Sequence, residues 1–394
     1  MRDRLNALTS VRFFAALWVV AFHQTAPNGW LFGTLTSGPG FVFHAVRTGY
    51  AAVGMFFVLS GFILTHTYST PPLRVRSFWA ARFARIYPVY VLGLLLALPS
   101  VVFPWRHHHL PRVGTALGSL GLPVLLLQSW HPHFPLVFNG PGWSLSAEAF
   151  FYLMFPLLIP LVRGRSKPQL LAGLMVAVSL SLIVPLTCVY LNIHWFGREP
   201  ASEIVGDAFW PNIVQFNPLL RLPDFLFGII VACLFQARPE AQVGTGWKWY
   251  IPGMLGICLI CSVFSPFIPH PIFNSILLPF FGLMIYGLAC GGGPIERAFS
   301  HNWLVRLGEA SYAVYLLHSP LIWWTYWVDG KGPNLINTHP AMVFVIYLIV
   351  VTAIALLVYR FIEEPARKYL RRQLSGKSAS SRMQSRPIPV FAGA

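Results

Sequence analysis

Long runs of apolar residues recur along the whole chain and are separated by short polar or basic connections. A helix needs roughly 20 consecutive apolar residues to cross the hydrocarbon core of a bilayer. The pattern therefore predicts an all-α polytopic membrane protein with about ten transmembrane helices. The predicted spans are 9–28, 47–68, 87–104, 143–162, 168–190, 218–237, 247–266, 272–290, 308–328 and 340–361.

Composition supports this class, since 56% of the residues are hydrophobic and only 10% are charged. Soluble globular domains have about 25% charged residues. The mean hydropathy of +0.61 also excludes an ordinary cytosolic enzyme. Disordered, collagen-like and coiled-coil chains are excluded as well, because each has a polar or strictly periodic composition.

One further apolar stretch, 113–129, is short and is interrupted by Pro123. If it does not cross the membrane, most of the Lys and Arg residues fall on the same side as the N-terminus. Basic residues concentrate in cytoplasmic loops of membrane proteins. We therefore expect both termini to be cytoplasmic. Residues 113–129 are then a re-entrant or surface segment, which at membrane depth must line a protein cavity.

The net charge of +16 comes from 28 Lys and Arg residues against 12 Asp and Glu residues. In a soluble chain such an excess would indicate nucleic acid, but here basic cytoplasmic loops explain it, so no nucleic-acid partner is predicted. Basic loops can also hold an anionic cosubstrate. The predicted organisation is a membrane domain over 1–370, whose first span is retained rather than cleaved, and a basic, disordered cytoplasmic tail over 371–394.

The five cysteines are scattered and odd in number, which does not indicate a disulfide framework. Cys258 and Cys261 form a C-x-x-C without a second pair of ligands, and we interpret them as small packing residues. Three adjacent histidines at 107–109 cannot all face one ion. No metal site is predicted.

The first predicted span contains two ionisable residues, Arg12 and His23, which are costly inside a membrane. Eleven residues at 100° each bring both side chains to the same helix face, about 16 Å apart along the axis. Arg12 could be an interfacial anchor and His23 a packed polar residue. An imidazole at depth can instead take a proton from a hydroxyl group, so we predict His23 as a general base.

A second motif, Trp143-Ser-Leu-Ser-Ala-Glu148, opens the fourth predicted span. Its serines and Glu148 could simply stabilise the start of a helix. Alternatively, Glu148 faces a cavity with His23 and orients the imidazole, so it is a second candidate catalytic residue. Trp143 either marks the membrane interface or packs against a sugar.

Arg82 and Arg85 lie in the basic connection before the third predicted span. Arginine binds phosphates with two parallel hydrogen bonds, although a topological anchor would have the same composition. Ser60, Tyr315 and His318 are polar positions within predicted spans and are candidate cavity-lining residues, together with Trp143. Ser60-Gly61 could also serve close helix packing, and Arg221 with Asp224 indicates a local ion pair.

Seven motifs follow one another along the chain. They are Arg12 to His23 (RFFAALWVVAFH), Gly49-Tyr50 followed by FFVLSGFILTHTY, Arg82 to Arg85 in RFARIYP, Trp143 to Glu148 followed by FFYLMFP, Arg221 to Gly228, Leu307 to His318, and Glu363-Glu364-Pro365. Their order resembles that of the acyltransferase-3 family of integral membrane O-acyltransferases. One position departs from the family pattern: Gly54 stands where many members carry Asp.

The resemblance implies transfer of an acyl group, most simply acetyl, from cytoplasmic acyl-CoA to a hydroxyl on the far side of the inner membrane. The acceptor would be a glycan, a glycolipid or a small hydroxylated molecule. By this resemblance, Arg12, Arg82 and Arg85 hold the phosphates of CoA, which is a cosubstrate and not a bound cofactor. His23 is the general base or a transient acyl carrier, and Glu148 orients His23 or the acceptor.

Two other functions use the same residues differently. A proton-coupled transporter or flippase of a sugar or organic anion would relay protons through His23, Arg12 and Glu148. It would neither consume acyl-CoA nor form an ester. A membrane-embedded assembly or sensor protein would need no ionisable residues at depth.

Overall fold

The computed structural model describes residues 5–26, 29–68, 72–107, 117–191 and 209–374. Within these ranges the chain is helical and contains no β-strand. The main helices are α1 (Asn6–Phe22), α2 (Ala52–Thr67), α3 (Val75–His107), α4 (Trp143–Val162), α5 (Lys167–Tyr190), α6 (Pro218–Gln236), α7 (Trp247–Leu259), α8 (His270–Cys290), α9 (Asn302–Asp329), α10 (Pro340–Val358) and α11 (Glu364–Leu374).

Shorter helical segments connect or extend these helices. They are Phe32–Thr36, Gly40–Arg47, Gly49–Ala51, Leu117–Gly121, Leu122–Val124, Gln128–Trp130, Gly140–Gly142, Phe209–Phe216, Glu240–Gln242, Ile260–Phe264, Ser265–Phe267, Pro294–Phe299, Leu335–Thr338 and Tyr359–Glu363.

The all-helical prediction is confirmed for the described residues. In the part of the chain that the structure describes, eight helical segments are long and apolar enough to cross a membrane: Gly40–Thr67, Val75–Pro99, Gly140–Val162, Lys167–Tyr190, Trp210–Gln236, Trp247–Phe267, His270–Cys290 and Pro340–Leu370. The first and ninth predicted spans form α1, which has 17 residues, and α9, which has 28. The total of ten spans and the side of each terminus stay predictions.

Helix α1 ends at Phe22, well before the predicted end of its span at residue 28. The hydroxyl of Thr25 donates to the carbonyl of Phe22 at 2.7 Å and closes the last turn. Proline disfavours helical geometry at the residue before it, and Pro27 follows shortly. His23 therefore lies at the C-terminus of α1 and not in its interior.

Helix α3 begins earlier than predicted, at Val75, so Arg82 and Arg85 lie on the helix instead of in a connecting loop. The sequence from Val75 to Tyr87 is rich in alanine, arginine and aromatic residues, and it contains no glycine or proline. Nothing in it terminates a helix. The two arginines consequently have fixed directions relative to the core.

Within the stretch 113–129, residues 113–116 lie outside the described part of the chain. The rest forms single turns and not one continuous helix. Tyr90 of α3 donates to the carbonyl of Pro123 at 2.7 Å, and the amide of Gln128 donates to the carbonyl of Gly142 at 2.8 Å. The segment is thus tied to α3 and to the start of α4.

Helix α6 packs against α2, α4, α5 and α8, and α9 packs against α1, α3 and α10. Glycines allow the closest crossings, because a Cβ on Gly61 or Gly228 would overlap backbone atoms of the facing helix. A Cβ on Gly308 of α9 would likewise overlap the backbone of α1 at Thr9. Small residues at such crossings let helix backbones approach closely in membranes.

The predicted tail begins inside a helix, since α11 continues to Leu374. Residues 375–394 lie outside the described part of the chain.

Candidate active site

Three arginines converge on a cavity of about 120 Å³ between α1, α2, α3, α4 and α9. We call it the arginine cavity. Its polar lining consists of Arg12, Ser60, Arg82, Arg85, Glu148, Tyr152, Ser311, Tyr312 and Tyr315. Six of the residues predicted from sequence as site residues thus come together: Arg12, Ser60, Arg82, Arg85, Glu148 and Tyr315.

Glu148 is the acidic residue among these lining side chains. Its Oε1 atom accepts a hydrogen bond from Ser60 at 3.1 Å and a short one from Tyr152. Glu148 also attracts the guanidinium of Arg12 electrostatically. These partners of Glu148 line the arginine cavity, whereas His23 contacts Val19 and His318. The structure therefore does not bring the two predicted catalytic side chains into contact.

Arg82 and Arg85 have different surroundings although they lie three residues apart. Arg85 forms an ion pair with Glu363, whose side chain is fully buried. The guanidinium carbon of Arg82 lies 5.8 Å from the ring centre of Tyr68 and 5.9 Å from that of Tyr152. Within the described residues the Nε atom of Arg82 is buried without a hydrogen-bond partner.

A second cavity of about 410 Å³ lies at the C-terminal end of α1. We call it the histidine cavity. Its polar lining consists of His23, Tyr50, Gln215, Arg221, Asn274, Tyr315 and Ser319, and its aromatic lining includes Phe22, Phe138, Trp143 and Phe216. Aromatic faces with a few convergent polar groups are typical of small-molecule sites of this size.

The ring of His23 is exposed to the histidine cavity and is held at its other edge. Its Nδ1 atom lies 2.9 Å from the carbonyl oxygen of Val19 and 3.4 Å from Nε2 of His318. His318 is fully buried behind it, and its own Nδ1 lies 2.6 Å from the carbonyl oxygen of Tyr315. His318 therefore supports His23, and the cavity lining does not include it.

Opposite polar groups in the histidine cavity come from α6 and α8. Arg221 pairs with Asp224 at 2.7 Å, and the Nε atom of Arg221 and the Oδ1 atom of Asn274 are buried without hydrogen-bond partners among the described residues. A Cβ added to Gly54 would lie 3.3 Å from Nη2 of Arg221. The missing side chain at position 54 thus leaves space beside this guanidinium.

Tyr315 lines both cavities. Its hydroxyl lies 2.8 Å from the hydroxyl of Ser144 and 3.2 Å from the carbonyl oxygen of Pro141, to which it donates. Trp143, at the start of α4, contacts Phe216 with ring centres 4.9 Å apart and forms an aromatic wall of the histidine cavity.

Comparison with known proteins identifies the family. The Acyl_transf_3 profile, described as an acyltransferase domain, matches residues 5–360. The chain belongs to the acyltransferase-3 family. The family resemblance predicted from the motifs is thereby confirmed, and the protein is an enzyme that transfers acyl groups.

Several named acyltransferases are similar to this chain in sequence. The chain is 32% identical to acyltransferase MdmB of Streptomyces mycarofaciens over 333 residues, which are 81% of this chain and 79% of that protein. It is 26% identical to O-acetyltransferase OatA of Staphylococcus aureus, over 92% of this chain and 57% of OatA. Peptidoglycan O-acetyltransferase OatA of Listeria monocytogenes is also 26% identical, over 93% of this chain and 56% of that protein.

The chain thus spans little more than half the length of the two OatA proteins. No solved structure matches the chain.

Tyr152, Arg221 and Asn274 line the cavities and Glu363 pairs with Arg85, and none of the four is among the site residues predicted from sequence. Tyr152 is four residues after Glu148 and so shares its helix face, a spacing that could have identified it. Arg221 had been interpreted as half of a local ion pair. Asn274 and Glu363 contact groups distant in sequence, and no local spacing indicates them.

Proposed function

We propose that the protein transfers an acetyl group from acetyl-CoA to a hydroxyl group of a carbohydrate or glycolipid acceptor. The observation that carries this proposal is a pair of cavities that share Tyr315, one lined by three arginines and the other by His23. Such an arrangement suits a polyanionic donor on one side and a neutral hydroxylated acceptor on the other. The names of the OatA relatives support acetyl as the group transferred.

In this proposal the arginine cavity receives the thioester end of acetyl-CoA. The three arginines that line it offer hydrogen-bond donors to the phosphates, and the thioester would lie toward Tyr315, which the two cavities share. Arg82 is the best-suited phosphate ligand, because aromatic rings surround it and its Nε atom has no hydrogen-bond partner among the described residues. Arg85 contributes less, because Glu363 already balances its charge.

The acceptor binds in the histidine cavity. A sugar ring can pack its apolar face on Trp143 while its hydroxyls reach the polar wall. The buried Nε–H of Arg221 and the buried Oδ1 of Asn274 offer it one donor and one acceptor. A buried polar atom without a hydrogen bond costs free energy. A bound hydroxyl of the acceptor substrate would remove this cost for both atoms.

His23 is the proposed general base, since its ring is exposed to the acceptor cavity. It takes the proton of the acceptor hydroxyl while the hydroxyl oxygen attacks the thioester carbonyl, and the CoA thiolate then leaves. A transient acyl-imidazole would use the same nitrogen as a nucleophile. Glu148 acts on the donor side, where it orients Arg12 and, through Ser60 and Tyr152, the cavity wall.

We further propose that the arginine cavity opens to the cytoplasm of a cell with both protein termini on that side. The donor is cytoplasmic in this orientation. The histidine cavity, which is lined by the connection before α4, then faces the opposite side of the inner membrane.

The test uses membrane vesicles that contain the full chain and acetyl-CoA labelled in its acetyl group. The proposal predicts an alkali-labile acetyl ester in the envelope carbohydrate or glycolipid fraction, identified by mass spectrometry. His23→Ala should lower ester formation by about 10²- to 10⁴-fold, the usual range for loss of a general base. Binding of CoA to the purified variant should not change, because His23 does not line the arginine cavity.

Three results would contradict the proposal. Full ester formation by His23→Ala would refute the assignment of the base. An acetyl group that stays covalently on His23 after the acceptor is removed would replace general-base catalysis by the acyl-carrier route. Movement of a sugar or anion without any consumption of acetyl-CoA would support the transporter instead.

A further inference from the structure

Two imidazole rings meet at the closed edge of the histidine cavity. His318 on α9 and His23 at the end of α1 have ring centres 4.9 Å apart and planes tilted by 56°. The closest nitrogens are Nε2 of His318 and Nδ1 of His23, at 3.4 Å. His318 is fully buried, so its ring cannot reach solvent or substrate in this arrangement.

Backbone carbonyls determine which nitrogen of each ring carries the proton. Nδ1 of His23 lies 2.9 Å from the carbonyl oxygen of Val19, and Nδ1 of His318 lies 2.6 Å from that of Tyr315. A carbonyl oxygen only accepts hydrogen bonds, so both Nδ1 atoms must carry hydrogen. In the neutral form of each ring, Nε2 therefore has a free lone pair.

The two lone pairs then have different positions. That of His318 lies 3.4 Å from Nδ1 of His23, so the single N–H there is shared between the nearer carbonyl of Val19, at 2.9 Å, and the buried ring as a second acceptor. Nδ1 of His23 is occupied by Val19 and His318, so Nε2 is the ring nitrogen left for the cavity that His23 lines. The arrangement presents an unprotonated nitrogen to the cavity and an acceptor behind the ring.

We infer that His318 is a positioning residue for His23: it fixes the ring with Nε2 toward the acceptor and stabilises the imidazolium that forms during transfer. This inference rests on the proposed role of His23 as the base. The hydrogen bond from Nδ1 to His318 strengthens when His23 becomes cationic, because charged donors form stronger hydrogen bonds.

The proton balance of the step is complete without His318 changing its own protonation. The O–H bond of the acceptor breaks and its proton goes to Nε2 of His23. The electron pair of the oxygen forms the new C–O bond at the thioester carbonyl. The C–S bond breaks, and the CoA thiolate takes the proton from His23.

Two features next to His23 can stabilise its imidazolium: His318 and the C-terminal end of α1. The carbonyl of Val19 belongs to the last turn of α1, where a helix C-terminus favours a cation. Tyr50 and Tyr315 also line the cavity, and the charge of Arg221 is offset by Asp224 at 2.7 Å. His318 is the side-chain acceptor that the structure places on Nδ1.

The experiment needs neither donor nor acceptor. Diethylpyrocarbonate modifies an imidazole at an unprotonated nitrogen, and peptide mass spectrometry follows the reaction of His23 as a function of pH in the purified full chain. His318→Phe keeps a ring but removes the acceptor, whereas the side-chain oxygen of His318→Gln can accept the same hydrogen bond. The matched control is Tyr347→Phe, because the Tyr347 hydroxyl donates to the backbone carbonyl of His318 at 2.6 Å and does not contact the imidazoles.

We expect the reaction of His23 to have the same pH midpoint in wild type, His318→Gln and Tyr347→Phe. In His318→Phe the cation loses an acceptor, so the midpoint should move to lower pH by about one unit, as loss of one hydrogen bond to a charged group would produce. Equal midpoints in wild type and His318→Phe, with melting temperatures that show both to be folded, would overturn the inference. So would a shift in Tyr347→Phe as large as that in His318→Phe.

A second measurement separates this inference from the proposed function. With labelled acetyl-CoA in membrane vesicles, His318→Phe should lower the maximal rate of ester formation about tenfold without changing the KM for acetyl-CoA, and His318→Gln should restore it. If wild type forms no ester, the proposed function fails. The pH midpoints of the modification of His23 would still show whether His318 stabilises the His23 cation. A loss in His318→Gln equal to that in His318→Phe would overturn the positioning role.

Discussion

Arg82 and Arg85 show how two like residues on one helix acquire different electrostatic roles. The buried Glu363 balances the charge of Arg85, and breaking such a buried pair is costly. Arg82 is surrounded by aromatic faces, which attract a cation but leave its hydrogen-bond donors available. A phosphate would therefore bind Arg82 without displacing a carboxylate.

The corresponding prediction is that Arg82→Lys weakens the binding of CoA to the purified protein about tenfold. Lysine keeps the positive charge but loses the planar fork that binds phosphate with two hydrogen bonds. Isothermal titration calorimetry measures the affinity. The matched control is Arg76→Lys, which changes an exposed arginine on the same helix and should have no effect.

Unchanged CoA affinity in both Arg82→Lys and Arg82→Ala would show that Arg82 is an anchor at the membrane surface and not a phosphate ligand.

At the residue scale, local spacing predicts some of this site and long-range contacts determine the rest. The spacing of Arg12 and His23 on α1 could be read directly from the sequence. The contact between His23 and His318 could not, because the two residues are 295 positions apart and meet only when α1 packs on α9. The carboxylate of Glu148 was expected to face His23, but the side chains of Ser60 and Tyr152 hold it in the arginine cavity.

At the scale of helices, the crossing of α2 and α6 determines the distance between the two cavities. Ser60 lines the arginine cavity and Arg221 lines the histidine cavity, and both lie on this helix pair. The backbones approach closely at Gly61 and Gly228, where a Cβ on either residue would overlap the facing helix. Separating the two helices would therefore disturb both cavities.

Gly61→Ala should lower the stability of the protein by about 1–3 kcal/mol, the usual cost of overpacking a close contact. Glycine to alanine inside a helix otherwise stabilises by about 1 kcal/mol, so the sign of the effect is diagnostic. The melting temperature in detergent measures it. The control is Gly33→Ala, at a helical glycine that has no atom within 4 Å of the added Cβ and should not be destabilised.

An equal melting temperature for Gly61→Ala and Gly33→Ala would mean that α2 and α6 are not in close contact in the membrane.

Helix identity was predictable from the sequence, whereas some helix ends were not. Apolar runs identified α1 to α10, because hydrophobic length is a property of a whole segment, whereas α11 is polar and was not among the predicted spans. The ends of α1 and α3 were wrong. Hydropathy carries no information on the turn at Thr25 that closes α1. It also excludes the first turns of α3 from a predicted span because they are basic, although they are helical.

For the whole molecule, the orientation in the membrane decides which cavity meets which solution. The arginine cavity contains Arg12 near the start of α1, and the histidine cavity contains His23 at its end. Basic residues cluster near the N-terminal half of α1, in the first turns of α3 and in α11. By the positive-inside rule we expect these regions in the cytoplasm.

Cysteine labelling tests this orientation in a variant that lacks the five native cysteines. Gly332→Cys, between α9 and α10, should react with a membrane-impermeant maleimide on intact cells. Pro168→Cys, at the start of α5, should react only after the cells are permeabilised. Both positions are exposed, so access to the reagent and not burial decides the result.

Reaction of Pro168→Cys on intact cells would mean that 113–129 crosses the membrane and that the number of spans differs from ten.

The position of Tyr315 between the two cavities has a consequence for the permeability of the membrane. Any open route by which a thioester approaches His23 is also a route for ions and protons, which would dissipate the membrane potential. Tyr315 lines both cavities, and Ser144 and Pro141 hold its hydroxyl in place between them. If the protein transfers an acetyl group as proposed, a fixed side chain at this position would let it do so and still keep the membrane closed to ions.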